Sequence, residues 1–560
     1  MSPVFVTLLA LALLALGYRF YSKYLALRVF RVRDDEPMPA VEQADGVDFV
    51  ATKREVLWGH HFSSIAGAAP ILGPAMAIIW GWLPALIWIV FGVIFMGAAH
   101  DFGALVLSMR HGGGSVGSLA ESLIGPRSRV LFLLVIFFLI WLVGAVFAFA
   151  ITNLFIAYPA SILPVNLEIL VALCIGWFVT KRGGSLFWPS VIALIGLYLV
   201  IFGTASGALW VPEPGSLLLS KHFWLVTLMV YAFVASSLPV WALLQPRDLI
   251  NSHQLVVGLS AMYLGFFILD PDFQAPALGE LRVLPHVFPL LMVTVACGSI
   301  SGFHGLVSSG TTSKQLCRAS DARSIGYGAM LVEAALAILA TMALASGLMR
   351  GVEHGSAWNH IQAASLAGGH SLPSVGQALF GFVHGAASFL EALAIPYEVG
   401  KTVVAVLVIS FAATSLDTAL RIQRIVLGEL GKTYRIAPLQ NRWFSGALAA
   451  GSVLILIYAD FDAGAKSLWP VFGATNQVLA SLTLLLCALY LRKLGRRSIA
   501  YSAPAVFIMG VTFLAMFMQV KRDLIAEKWL VASVGILIGI LTAWVAVEGA
   551  LAWRRSPSPK

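Results

Sequence analysis

Two carboxylates sit in runs apolar enough to enter a membrane. Asp101 lies in GAAHDFGALVLSMR (97–110), directly after His100. Asp417 lies in SFAATSLDTALRIQR (410–424), among Thr414, Ser415 and Thr418. An acid at the bilayer centre costs roughly 2.5–3.5 kcal/mol on insertion scales, so each needs a partner or a task. The task open to both is proton carriage or cation coordination. The plainer alternative makes Asp101 an interfacial acid near its helix end and locks Asp417 to Arg421 at i+4 on one helix face.

Histidines and hydroxyls form the second chemical signal. His60 and His61 precede Ser63 and Ser64, and His304 lies in ACGSISGFHGLVSSGTTSKQL (296–316). An imidazole titrates near neutrality, which suits it to moving a proton or holding an anion. No HxxxH or HExxH spacing occurs, so no metal site and no cofactor are expected. Ser308, Ser309, Thr311 and Thr312 read as lying on one helix; their neutral oxygens suit a sodium ion. Hydroxyls bonded to i−4 carbonyls would instead make the stretch a packing surface. HGGGS (111–115) follows no strand, so a nucleotide loop is not expected, and nothing resembles an ATP-binding motif.

These groups need a scaffold that brings backbone to them. GHHFSSIAGAAPILGPAMAIIWGWLPALIW (59–88) is apolar, yet it crowds Gly67, Pro70, Gly73 and Pro74 into one cluster. Pro removes backbone donors and Gly weakens a helix. Open backbone at membrane depth is tolerated only inside protein or beside a watery cavity. The spacing therefore predicts a broken helix, non-helical over 67–70, facing a cavity shared with Ser236, Ser237 and His304. Broken helices of this kind mark binding sites in secondary transporters. Ser236, Ser237 and Pro239 suggest a second break in 230–251. The alternative is that these Gly and Pro residues only kink packed helices.

Composition places the whole chain in the membrane. Only 11% of its 560 residues are charged and 59% are hydrophobic. Soluble domains carry about 25% charged residues. About fifteen apolar runs are long enough to span. They fall near 3–22, 61–80, 83–108, 128–157, 163–180, 186–208, 223–243, 254–269, 287–310, 325–349, 398–420, 441–459, 468–491, 501–520 and 529–552. The net charge of +9 comes from Lys and Arg in loops, as the positive-inside rule places them, and is no nucleic-acid signal. Arg247 and Arg421 are counted among those loop cations; acidic loops such as Asp270/Asp272/Glu280 and Asp460/Asp462 alternate with them. This puts the N-terminus outside and the C-terminus in the cytoplasm, although Lys521, Arg522 and Lys528 run against it. The segment 372–396, with His384 and Glu391, is expected to be an external re-entrant or surface-lying element. Cys174, Cys297, Cys317 and Cys487 show no paired spacing and read as packing residues.

The expected fold is all-α. Two five-helix units of opposite orientation, each opening with a broken helix, form an inverted-repeat core. One N-terminal and four C-terminal helices flank it. The parts are an N-terminal helix and basic loop (1–58), a transport core (59–430) and C-terminal helices (431–560).

GHHFSSIAGAAPILGP, LLQPRDLIN (243–251), ACGSISGFHGLVSSGTTSKQL, IGYGAMLVEA (325–334), LDTALR (416–421) and LWPVFGATNQVLA (468–480) together resemble the carbon starvation protein A family. The resemblance implies a bacterial inner-membrane transporter of the amino acid–polyamine–cation superfamily, taking up peptides or pyruvate, the latter with protons. Ala69, Leu249 and His100 depart from the family pattern, which has Gly, Tyr and Gln there. The expectation is a secondary importer of a small carboxylate or short peptides, driven by protons or sodium, in the carbon-starvation response. Peptide uptake as the sole role, or a transporter-like starvation sensor signalling to a partner, are the alternatives. A membrane enzyme is disfavoured, since no nucleophile–base motif is present. His61, Ser63, Ser64, Gly67, Ala68, Ser236, Ser237 and His304 are the candidate substrate contacts. Asp101, Asp417, Ser308, Ser309, Thr311 and Thr312 are the candidate ion-coupling residues. The remaining partner is the lipid bilayer.

Overall fold

The computed structural model describes residues 1–46, 49–279, 287–351, 355–369, 371–459, 461 and 467–555. Glu280, Asp460, Asp462 and the tail after Arg555 lie outside the described residues. The chain is almost wholly helical. Among the described residues twelve helices are long and apolar enough to cross a membrane, or thirteen when a bent pair counts as one span.

Helix α1 (Pro3–Phe30) is followed by the bent pair α2 (Arg54–Ile65) and α3 (Ala69–Ala77). Then come α4 (Trp82–Arg110), α5 (Pro126–Ala157), α6 (Ile162–Arg182) and α7 (Phe187–Ala205). The middle of the chain holds α8 (Lys221–Ser237), α9 (Leu244–Leu269), α10 (Gly302–Gly310) and α11 (Arg323–Ser346). The last part holds α12 (Val375–Glu391), α13 (Tyr397–Thr433), α14 (Arg442–Ala459), α15 (Leu468–Lys493), α16 (Ile499–Ile525) and α17 (Trp529–Arg555).

Four expectations change. The run 287–310 is not one helix. It breaks after Thr294 and again at Ile300 and Ser301, whose backbones are extended. Glycines and hydroxyls there hold little helix propensity, and their polar atoms find partners in α15. The run 223–243 is also shorter, ending at Ser237. With the bent pair counted as one span, those two changes account for the difference between fifteen expected runs and thirteen spans among the described residues. Third, the helix after the second break starts at Leu244, not near 254, so Arg247 is helical and buried and not a loop cation. Fourth, 372–396 does not lie on the surface. Its α12 is capped by Ser374 and Gln377 and is almost entirely buried, with His384 bonded to the Tyr397 hydroxyl at 2.9 Å. Small residues let α12 enter the bundle: Gly381, Gly385, Ala378, Ala386 and Ala387 are buried.

Helices α13 and α15 form the deepest spans, each with 94% of its apolar window buried. The elements around 59–88 pack against α11, α12 and α13 and against the broken 287–310 segment. Gly73 of α3 is the clearest close approach. A Cβ there would meet the Thr294 carbonyl oxygen at 2.7 Å, so only glycine lets the two interrupted segments touch backbone to backbone.

Candidate functional site

The first break falls where small residues permit it. Helix α2 ends at Ile65, α3 begins at Ala69, and the two bend by 43°. The non-helical residues are Ala66 to Ala68, starting one residue and ending two residues earlier than the expected 67–70, because Ala69 and Pro70 already belong to α3. That is a favoured place for Pro, since the N–H it lacks has no partner there anyway. Gly67 faces α13 and α5: a Cβ on it would meet Ser415 Oγ and, at 3.2 Å, Phe147. A cavity of about 10 Å³ lies against this break, lined by Gly67, Ala69, Ser301, His304, Ser415 and Phe472 among others. That is room for about one water. Of the three expected co-lining residues only His304 is present. Ser236 and Ser237 donate instead to the Phe233 carbonyl of their own helix, both at 2.9 Å.

His304 links the break to a line of buried ionisable groups. Its Nδ1 is 2.9 Å from Asp101 Oδ2, and its Nε2 is 3.3 Å from Glu333 Oε2. Asp101 Oδ1 lies 2.7 Å from His100 Nδ1. All four side chains are at most 1% exposed. Asp101 is therefore no interfacial acid: it is the centre of a carboxylate–imidazole chain drawn from α4, α10 and α11. Two further histidines stand beside it. His61 Nδ1 is 2.9 Å from Thr312 Oγ1, and His60 Nδ1 is 2.7 Å from Asp248 Oδ2.

Asp417 belongs to a second cluster. Arg247 Nη1 donates to Asp417 Oδ2, and the Tyr231 hydroxyl donates to the same oxygen at 2.7 Å. Arg247 Nη1 also reaches the Tyr231 oxygen at 2.6 Å. Glu168 Oε1 lies 3.8 Å from Arg247 Nε, and Glu168 Oε2 accepts from Ser410 Oγ at 2.6 Å. Asn251 ties the same helices by donating to Thr414 Oγ1 at 2.6 Å. The alternative reading, a lock between Asp417 and Arg421, gives way to this arrangement. Arg421 Nη2 donates instead to the Ala235 and Leu238 carbonyls, at 3.2 and 2.6 Å. There it closes the C-terminus of α8, where a cation satisfies orphan carbonyls and favours the helix dipole.

The hydroxyl cluster does not converge on one point. Ser309 donates to the Gly305 carbonyl at 2.7 Å and Thr311 to the Val307 carbonyl at 3.0 Å, both i−4 bonds. Thr312 faces His61, and α10 has ended by Gly310. Ser308 Oγ is buried without a hydrogen-bond partner. Ser63 donates to the His60 carbonyl at 3.2 Å, and Ser64 Oγ is buried and unpartnered.

Sequence reasoning did not single out Glu168, Arg247, Asp248, Glu333 or Asn476. Glu168 and Glu333 each interrupt an apolar run and carried the same signal as Asp101. Asn476 stands in the LWPVFGATNQVLA run. Its Oδ1 accepts from Phe303 N at 2.9 Å and Ser301 Oγ at 3.2 Å, so it caps α10 from α15. Asn is a preferred cap because its oxygen meets the orphan amides of a first turn, and here it comes from another helix.

Known proteins show the family of the chain. The family described as carbon starvation protein CstA matches residues 2–515. The peptide transporter CstA of Bacillus subtilis (strain 168) is 29% identical, with 98% of this chain and 95% of that protein covered. The pyruvate/proton symporter BtsT of Escherichia coli (strain K12) is 30% identical, with 92% and 81% covered. Among solved structures, MhsT in complex with L-phenylalanine covers 88% of this chain and 99% of that one at 12% identity, with a TM-score of 0.44; so loose a likeness carries no argument about the site. The long apolar helices and the near full-length match agree, and the chain belongs to the carbon starvation protein CstA family.

Proposed function

We propose that this chain is a secondary active importer of a small carboxylate such as pyruvate, or of short peptides, driven by a proton gradient across a bacterial inner membrane. One observation carries the reading: the buried line Glu333–His304–Asp101–His100 meets the interrupted helix at His304, which lines the small cavity against the break. Asp101 is hydrogen-bonded to both histidines, and Glu333 stands 3.3 Å from His304 Nε2 without a hydrogen bond to it, so a proton taken up at one member has a carboxylate or imidazole beside it. Histidine suits that task because its ordinary titration lies near neutrality. The break offers the complementary function. The N-terminal turn of α3 presents the positive end of a helix dipole to an anion, with the Ala68 and Ala69 amides ahead of Pro70; Ile71 and Leu72 already donate to the Ala68 carbonyl at 3.2 and 2.9 Å. His304 belongs to both and lets cargo and proton sense one another.

Proton transfer is assigned to Asp101, His304 and Glu333, and contact with the cargo to His61, Ser63, Ser64, Gly67 and Ala68. Ser309 and Thr311 already serve their own helix carbonyls, which favours protons over sodium as the coupling ion. The water-sized cavity corresponds to a closed state that opens to admit cargo. The basic loops support an outside N-terminus and a cytoplasmic C-terminus. A role in the starvation response and the five-plus-five repeat layout follow the family.

Labelled pyruvate and a labelled tripeptide are offered to proteoliposomes of the purified protein under an imposed pH gradient. Accumulation that persists without sodium and collapses with a protonophore is expected. Strict sodium dependence moves coupling to Ser308, Ser309, Thr311 and Thr312. Uptake of neither compound removes the reading.

A further inference from the structure

Arg247 is an unusual residue to bury. It is 1% exposed in the middle of a membrane protein, and only one of its three nitrogens is engaged by hydrogen bonds. Nη1 serves Asp417 and Tyr231. Nε and Nη2 have no hydrogen-bond partner; Nε has only the distant Glu168 Oε1 at 3.8 Å. Those two nitrogens form the side-on edge of the guanidinium. It is the edge that takes a carboxylate with two parallel hydrogen bonds. Glu168 has not taken it: its Oε2 is held by Ser410, and its Oε1 is itself unpartnered. Asp417 Oδ1 is unpartnered as well. A buried cluster that left a donor edge and two acceptor oxygens idle would be poorly built as a structural ion pair. It is well built as a seat for one more group.

Resting on the carboxylate-import reading above, we propose that the Nε/Nη2 edge of Arg247 binds the carboxylate of the cargo, and that Glu168 takes up a proton when it does. A carboxylate is what pyruvate and the C-terminus of a peptide have in common, so one guanidinium serves both. Charge drives the proton step. Arg247 already faces two carboxylates, Glu168 and Asp417, and a third in the same dry pocket is repelled by both. Protonating one of them relieves this. Glu168 is the candidate because it stands beside the edge the cargo takes, whereas Asp417 keeps two donors, Arg247 Nη1 and the Tyr231 hydroxyl. The proton comes from solution and stays on Glu168 while the cargo is bound, so cargo anion and proton travel together; the Asp101–His304–Glu333 line transfers protons, whereas Glu168 holds the one bound with the cargo. Other charged groups near the cluster are Asp248, paired with His60 on α2, and Arg421, which closes α8. Space for the cargo lies close by: a cavity of about 260 Å³ is lined by Tyr231, Ile409, Ala413, Asn166 and Trp224.

The test uses the full-length protein in lipid nanodiscs with pyruvate as probe and pyruvamide as its uncharged counterpart. Binding is measured alongside proton uptake in weakly buffered solution, and proteoliposome uptake is run in parallel. Wild type should bind pyruvate with uptake of about one proton and ignore pyruvamide. Arg247→Lys should weaken pyruvate binding at least roughly 30-fold, as loss of a buried charge-assisted pair does. Glu168→Gln, which keeps shape and hydrogen bonding, should bind pyruvate with no proton uptake and with an affinity that no longer depends on pH. Pyruvamide competing as well as pyruvate, or Glu168→Gln retaining full proton uptake, overturns the assignment. Wild type that transports pyruvate while Arg247→Lys and Glu168→Gln match it overturns this inference and leaves the import reading standing. Wild type that binds and transports no carboxylate overturns both.

Discussion

Arg247 and Asp417 stand 170 residues apart in the chain and meet in a buried ion pair between α9 and α13, with side chains 1% and 2% exposed. Neither charge could be left there alone. Removing one partner of a buried pair costs about 3–5 kcal/mol, because the other stays desolvated and uncompensated. Arg247→Ala and Asp417→Ala should each destabilise the protein by that order. The double change Arg247→Ala with Asp417→Ala should cost less than the sum of the two. Thermal unfolding in detergent, run as a double-mutant cycle, reads the coupling. Strict additivity would mean the two side chains do not depend on each other.

That pair also shows what the sequence could and could not reveal. Asp417 was legible as an acid in an apolar run, and its neighbour Arg421 at i+4 offered an obvious partner. The partner it takes comes from a helix whose start sequence placed too late, so Arg247 passed for a loop cation. Local spacing speaks for one helix; it is silent about which helices meet. The break at 66–68 was legible because Gly and Pro act on their own backbone. The division of 287–310 was not. There the deciding residue, Asn476, reaches in from α15 and satisfies the amides that the break exposes.

Asn476 therefore carries a second prediction. An N-cap oxygen is worth typically about 1 kcal/mol, and an unsatisfied buried amide about 1–3 kcal/mol. Asn476→Leu should lower stability by roughly 1–3 kcal/mol. Asn476→Asp, which keeps the accepting oxygens, should hold the break in place. Hydrogen exchange at Phe303 and its neighbours separates the two: faster exchange is expected in the Leu variant. Unchanged exchange there would show that the cap is dispensable.

His304 stands in the middle of the buried carboxylate–imidazole line, with Asp101 on one ring nitrogen and Glu333 on the other. His304→Gln keeps a hydrogen-bonding side chain but cannot take up and release a proton near neutral pH. Accumulation driven by a pH gradient should fall at least about tenfold, in the range of lost acid–base function. Counterflow exchange of preloaded cargo, which needs no net proton movement, should persist. Loss of both with normal thermal stability would make His304 a cargo contact only.

At the end of the bundle, Arg110 takes Glu36 with two hydrogen bonds of 2.7 Å and also holds the Phe30 carbonyl at 3.1 Å. Burial alone would raise the Glu36 carboxyl, but the Arg110 hydrogen bonds outweigh it and hold the group below its ordinary value of 4.5. A carboxylate lowered on folding adds stability above its unfolded value, and that stability is lost as pH falls through the folded one. Glu36→Gln should therefore melt earlier than wild type at neutral pH. The difference should shrink towards zero below about pH 4. A difference that stays constant with pH would assign the effect to packing and not to charge.

Gly67 sets the sharpest limit on the first break. A Cβ there meets Ser415 Oγ, a side-chain end that can rotate, and lies 3.2 Å from Phe147. Gly67→Ala should therefore be accommodated by a turn of Ser415, with stability changed by less than about 1 kcal/mol. Leu is different. The adjoining cavity of about 10 Å³ has room for a water and not for an isobutyl group. Overpacking of this kind costs typically about 1–3 kcal/mol. Gly67→Leu should thus both weaken folding and stop uptake, and inactivity alone could not tell blocked access from a damaged fold. The alanine variant makes that distinction. If Gly67 faces the cargo path, Gly67→Ala keeps its melting temperature yet loses uptake, because the added methyl occupies the approach to the amides of α3. If Gly67 serves only to bring α13 close, the same variant melts earlier and transports in proportion to the protein that remains folded. Adding Ser415→Ala removes the oxygen that the methyl meets. It should restore stability in the packing case and leave uptake blocked in the cargo case.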